Sequence, residues 1–109
     1  MELSAYRTMW LIVFFDLPTD TAKARKRYTR FRKDLLEDGF AMMQYSVYYR
    51  HCASKENTEV HLKRIRASVP ADGEVRICQF TDKQFERMEV YFGKRRIQTE
   101  DEPAQLEMF

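Results

Sequence analysis

A chain of 109 residues that is 44% hydrophobic, 33% charged and 14% aromatic reads as one domain, large enough to bury a core without disulfide or metal staples. Three Gly and three Pro exclude a collagen-like or low-complexity chain, and the aromatic content argues against disorder. The net charge of +2 conceals an asymmetry: every Lys and Arg precedes Gln98, whereas the segment from Gln98 to Phe109 holds Glu100, Asp101, Glu102 and Glu107 without a base. A basic body suited to a polyanion therefore carries an acidic tail.

In chain order, Thr8 to Phe15 is short, nearly all apolar and rich in β-formers, the pattern of a strand buried on both faces. Its apolar stretch from Met9 to Phe15 is far shorter than the roughly 20 residues of a membrane helix. It also lacks the small-residue cleavage site of a signal peptide. The expectation is a soluble, cytoplasmic protein with no membrane partner. The strand stops at Asp16-Leu17-Pro18, because Pro18 cannot continue a central strand.

A helix is predicted from the Thr19-Asp20-Thr21 cap to about Asp38, stopped by Gly39. Ala24, Tyr28, Phe31 and Leu35 make one apolar stripe. Lys23, Lys26, Arg27, Arg30 and Lys33 make a second stripe of one sign, flanked by Arg25 and Arg32. Bases at one-turn spacing can follow a phosphate backbone and release its counterions. A merely solvated face is the plain alternative, but here no acids alternate with the bases.

Phe40 to Arg50 alternates as a strand, kinked or split near Gln44. Ser54 to Ser68 is a second helix with a weaker apolar side of Val60, Leu62 and Ile65, and His61 is expected on its solvated face. After the Pro70–Gly73 turn, Glu74 to Phe80 is a strand, Thr81 to Arg87 a short helical turn and Met88 to Phe92 another strand. Gly93-Lys94-Arg95-Arg96 is a basic turn, and Ile97 to Thr99 a short edge strand.

This order predicts an α+β, ferredoxin-like sandwich, an antiparallel sheet with both helices on one face. Residues 1–99 would form the domain and 100–109 a docking tail, with Leu106, Met108 and Phe109 as its apolar anchors. Alternating Met, Tyr and Val on the other sheet face call for a cover, and a homodimer packed through the sheets is the simplest. Tyr45, Tyr48 and Tyr49 fit the core or that interface, with base stacking as the sharper alternative.

Chemistry concentrates on Asp16. A carboxylate at the end of a central strand can hold a hard cation such as Mg²⁺, though it is also a common turn-former. One Asp is too few for a metal cage, and a symmetric dimer would supply a second copy. A zinc site from His51, Cys52, His61 and Cys78 has no recognisable spacing. Phosphate-loop motifs are missing from the sequence.

Taken together, Phe15-Asp16-Leu17-Pro18, the Lys/Arg-rich helix, Gly39-Phe40 and Gln44-Tyr45-Ser46-Val47-Tyr48 resemble the CRISPR-associated Cas2 (Cas-two) family. Leu17-Pro18-Thr19 and Ser46-Val47-Tyr48-Tyr49-Arg50 look most like its type II members. The resemblance implies a ferredoxin-like homodimer and a Mg²⁺-dependent endonuclease acting on single-stranded RNA or double-stranded DNA. It further implies a partnership with the CRISPR integrase (Cas-one) in spacer acquisition, where the dimer bridges two integrase dimers and carries the duplex. Asp16 would be the metal-holding catalytic carboxylate. Lys23, Lys26, Arg27, Arg30, Lys33, Arg95 and Arg96 would contact nucleic acid. A toxin-like ribonuclease of the same fold is the alternative reading.

Overall fold

A computed structural model describes residues 9–101; the proposed anchors Leu106, Met108 and Phe109 lie outside them. The chain runs β1 (Met9–Asp16), α1 (Ala22–Glu37), β2 (Ala41–Gln44), β3 (Val47–Cys52), α2 (Lys55–Ser68), β4 (Glu74–Thr81), α3 (Asp82–Glu86), β5 (Val90–Phe92) and β6 (Arg95–Ile97). Four strands form one antiparallel sheet in the order β2-β3-β1-β4. With α1 and α2 as the crossovers, this is the ferredoxin-like arrangement the sequence predicts. Both long helices start where expected: the hydroxyls of Thr21 and Ser54 accept from the amides of Ala24 and Asn57 at 3.0 Å.

Strand β1 sits in the middle, so its side chains alternate between two separate cores. Leu11, Val13 and Phe15 face the helices, packing with Phe31 and Leu35 of α1, Leu62 and Ile65 of α2, and Tyr48. The Tyr48 hydroxyl is buried here and accepts a 2.7 Å hydrogen bond from Arg32 Nε. Trp10 and Ile12 face the other way, against Phe85 of α3, with Val47, Tyr49, Phe80 and Met88 around them. The Trp10 and Phe85 rings stack at 3.9 Å between centroids and 7° between planes. The Trp10 indole N–H donates to Asp82 Oδ1 at 2.8 Å. At this end of the sheet the chain therefore covers the second face with its own α3.

Two local expectations change. His61 is 4% exposed, not solvated: its Nδ1 lies 2.7 Å from Asp38 Oδ2, and Arg64 takes Asp38 Oδ1 at 2.7 Å. This clasp ties the C-terminal end of α1 to α2, and Val60 is turned outward instead. Arg95 and Arg96 belong to β6, not to a turn, and β6 pairs with β5 in a hairpin separate from the main sheet. The segment from Phe40 to Arg50 is split after Gln44, as expected, with a register irregularity between Met42 and Gln44.

Candidate functional site

Asp16 is the last residue of β1 and is exposed. Alternation puts it on the face of Trp10, Ile12 and Phe14, away from the helices. Directly opposite, in register on β4, stands Glu74. Residues directly opposite in an antiparallel pair project from the same face, so two carboxylates of one chain share this corner. The sequence reading allowed a second carboxylate through dimerisation alone. It missed Glu74 because strand register, and no spacing in the sequence, brings it beside Asp16. Arg76, two residues on, donates to Glu74 Oε2 at 3.0 Å and moderates the repulsion between the pair.

The corner is pinned from two sides. Gly73 has φ of +91°, and a Cβ there would lie 2.9 Å from the Asp16 carbonyl oxygen and 3.0 Å from Leu17 Cα. A side chain at this position would push the end of β1 out of place. On the other edge, Ser46 accepts a 3.0 Å backbone bond from Phe15 N. Ser46 has φ of +62°, a conformation that costs a non-glycine residue roughly 1–2 kcal/mol. Glycine would suit this second position of the Tyr45-Ser46 turn better. The serine brings a hydroxyl that shares a 3.1 Å hydrogen bond with Tyr28 Oη.

Tyr45 precedes it and is 69% exposed, its ring 6.2 Å from that of Tyr28. A hydrogen bond with Tyr28 holds the Tyr45 hydroxyl pKa above its ordinary value. Of the three tyrosines, Tyr48 is core, Tyr49 packs on Trp10, and Tyr45 alone stands on the surface. An open cavity of about 390 Å³ is lined by Asp16, Tyr45, Ser46, Glu74, Arg76 and Phe14, among others.

The basic stripe lies elsewhere. Lys23, Lys26, Arg27, Arg30 and Lys33 are all exposed on α1, which packs on the opposite sheet face from Asp16. Arg27 pairs with Asp72 at 2.9 Å, and Arg30 reaches Asp34 at 3.6 Å. No acid occupies the first turn of α1, so the bases there add to the positive end of the helix dipole rather than offset it. Lys26, Arg27 and Arg30 also line an open cavity of about 390 Å³ with the turn after α2. Arg96 instead lines a cavity with Trp10, Asp82 and Glu86. The structure therefore does not join the second basic patch to the first.

The imagined zinc set is split. Register puts His51 and Cys78 on the face of Trp10 and Cys52 on the helix face with His61. No group of three or more His, Cys, Asp or Glu suited to a metal occurs among the described residues. Burial raises the Cys52 thiol pKa, which leaves it an inert core group.

The family model for CRISPR associated protein Cas2 matches residues 9–88. The chain belongs to the Cas2 family. It is 67% identical over 101 residues to a CRISPR-associated endoribonuclease Cas2 of Parvibaculum lavamentivorans, covering 93% of this chain and 100% of that protein. A protein of the same name from Flavobacterium psychrophilum is 54% identical, covering 99% and 94% of the two chains. A crystal structure of a Cas2 protein superposes with a TM-score of 0.55 at 24% identity, over 89% of this chain and 94% of that one. No helix among the described residues is long and apolar enough to cross a membrane.

Proposed function

We propose that this Cas2 chain is an endonuclease acting on single-stranded RNA at the Asp16 corner. The observation that carries the reading is the exposed Asp16 beside Glu74, on an open cavity at the end of the central strand. The endoribonuclease names of two similar relatives support the substrate class. Two carboxylates are a sparse donor set, which suits Mg²⁺, a cation that keeps several waters and binds through one or two carboxylates and substrate phosphate. Asp16, helped by Glu74, would hold it, and when bound it would supply Lewis-acid polarisation and an activated water. The chain's own part is to fix the carboxylates through Gly73 and the Ser46 turn, and to present Arg76 to phosphate. A homodimer packed through this sheet face would cover Phe14 and bring two such corners to one axis.

The experiment is RNA cleavage by highly purified protein with and without Mg²⁺, beside Asp16→Asn and Glu74→Gln. The expected result is cleavage that requires the cation and falls to the level of a no-protein control in Asp16→Asn. Equal cleavage by the parent and Asp16→Asn would overturn the reading.

A second activity rests on a separate observation, the placement of the α1 bases on the face away from Asp16. A duplex held there by its phosphates would be carried rather than cut. This supports a role as the DNA-carrying bridge between integrase (Cas-one) dimers in spacer acquisition. Replacing Lys26, Arg27 and Arg30 with Glu is expected to abolish duplex binding and spacer acquisition while leaving cleavage of RNA. Each lost phosphate contact should also reduce the log–log salt slope of binding by about 0.9. Unchanged duplex affinity would refute the role.

A further inference from the structure

We infer that the corner around Asp16 contains a single-nucleotide subsite, in which Tyr45 stacks a base of single-stranded RNA and Arg76 holds its phosphate. The inference rests on the nuclease reading of Asp16 and names how that site would grip its substrate. Four observations lead to it. First, Tyr45 is a large aromatic residue left 69% exposed while Tyr48 and Tyr49 are packed. A ring this exposed, tilted against Tyr28 alone among the ring contacts of the described residues, can accept a base on its surface.

Second, the turn that presents it is held in an unfavourable conformation. Ser46 is the one non-glycine residue with positive φ among the described residues. Its carbonyl is bonded to Phe15 N, and its hydroxyl to Tyr28. Strain fixed by the surrounding structure is characteristic of ligand clamps. The anchor on Phe15 holds the Tyr45-Ser46 turn beside the end of β1.

Third, Arg76 lies on β4 opposite Phe14 and in the same cavity. Its side chain is 72% exposed, and its carboxylate partner Glu74 is itself 62% exposed. An exposed pair of this kind is weak and readily exchanged for phosphate. Fourth, the cavity volume of about 390 Å³ falls within the range of small-molecule sites. Tyr45, Arg76 and Asp16 thus line one space, residue types that suit a base, a phosphate and the bond to be cut. A helical duplex keeps its bases stacked on each other, so this pairing selects single strands.

The test uses the full chain and a single-stranded RNA carrying 2-aminopurine, whose fluorescence is quenched by stacking. Binding is measured in an Asp16→Asn background, with cleavage by the parent protein measured in parallel. Quenching on binding is expected, with Tyr45→Leu about tenfold weaker and unquenched, and Tyr45→Trp restoring both. Arg76→Gln should weaken binding and flatten its salt dependence, since one phosphate contact is lost. Parent-like affinity and quenching in Tyr45→Leu would overturn the subsite. If the parent cleaves RNA and Tyr45→Leu does so with an unchanged KM, the subsite fails while the nuclease reading survives. If quenching depends on Tyr45 but the parent cleaves nothing, the subsite survives and hydrolysis at Asp16 fails.

Discussion

The two faces of the sheet are built to different ends. The helix-covered face is closed by two amphipathic helices, and Phe31, Leu35, Leu11 and Tyr48 within it are at most 1% exposed. The other face is closed at the Trp10 end by α3, while at the Asp16 end it leaves Phe14, Tyr45, Glu74 and Arg76 in the open. A surface completed by the chain itself serves stability. A surface left unfinished beside a carboxylate pair is available for a ligand or a second copy.

If that division is right, substitutions on the two faces should separate stability from activity. The largest stability loss is expected from Phe31→Ala, about 3–5 kcal/mol in urea titrations, because a ring deep in the closed face leaves a cavity. Gly73→Ala should cost roughly 1–3 kcal/mol through its left-handed backbone and its contact with the Asp16 carbonyl. Unlike Phe31→Ala, it should abolish cleavage at temperatures where the protein remains folded. His61→Ala should cost about 1–3 kcal/mol by removing one of the two side chains that hold the Asp38 carboxylate. RNA binding by the folded protein should not change.

A pH dependence sharpens the closed end of the open face. The side chain of His51 is 6% exposed, and burial lowers its pKa from the ordinary value despite Asp82 Oδ1 at 3.6 Å. The unfolded chain therefore takes up the proton first. Stability should hold above the ordinary histidine value of about 6.5 and fall as the pH drops below it. Melting temperatures from pH 7.5 to 5.5 should decline more steeply for the parent than for His51→Gln. The smallest effect is expected from Asp16→Asn, within about 0.5 kcal/mol of the parent, since the residue is exposed at a strand end. A large destabilisation there would erase the distinction between the faces.

Much of the closed face was legible in the sequence. The stripe of Ala24, Phe31 and Leu35, the caps at Thr21 and Ser54, and the stop at Gly39 all follow local rules that the structure obeys. His61 was not legible, because its burial depends on Asp38, 23 positions away. Asp16 was legible as a strand end before Pro18. Glu74, Arg76 and Gly73 were not legible as its neighbours, because their nearness follows from how β4 pairs with β1. The split between the α1 bases and Asp16 was equally invisible, since which sheet face a residue occupies depends on the finished fold. Arg95 and Arg96 were recognisable as basic, but their place on a separate hairpin depends on pairing with Val90–Phe92.

The short bend after α2 touches both sides of this division. Asp72 reaches Arg27 on the basic helix, and Gly73, next to it, abuts the backbone of Asp16. Surface bends ordinarily accept inserted residues with little penalty. This one is constrained on its Gly73 side, where an insertion would shift the close contact with the end of β1, whereas the exposed Arg27–Asp72 pair could yield at little cost.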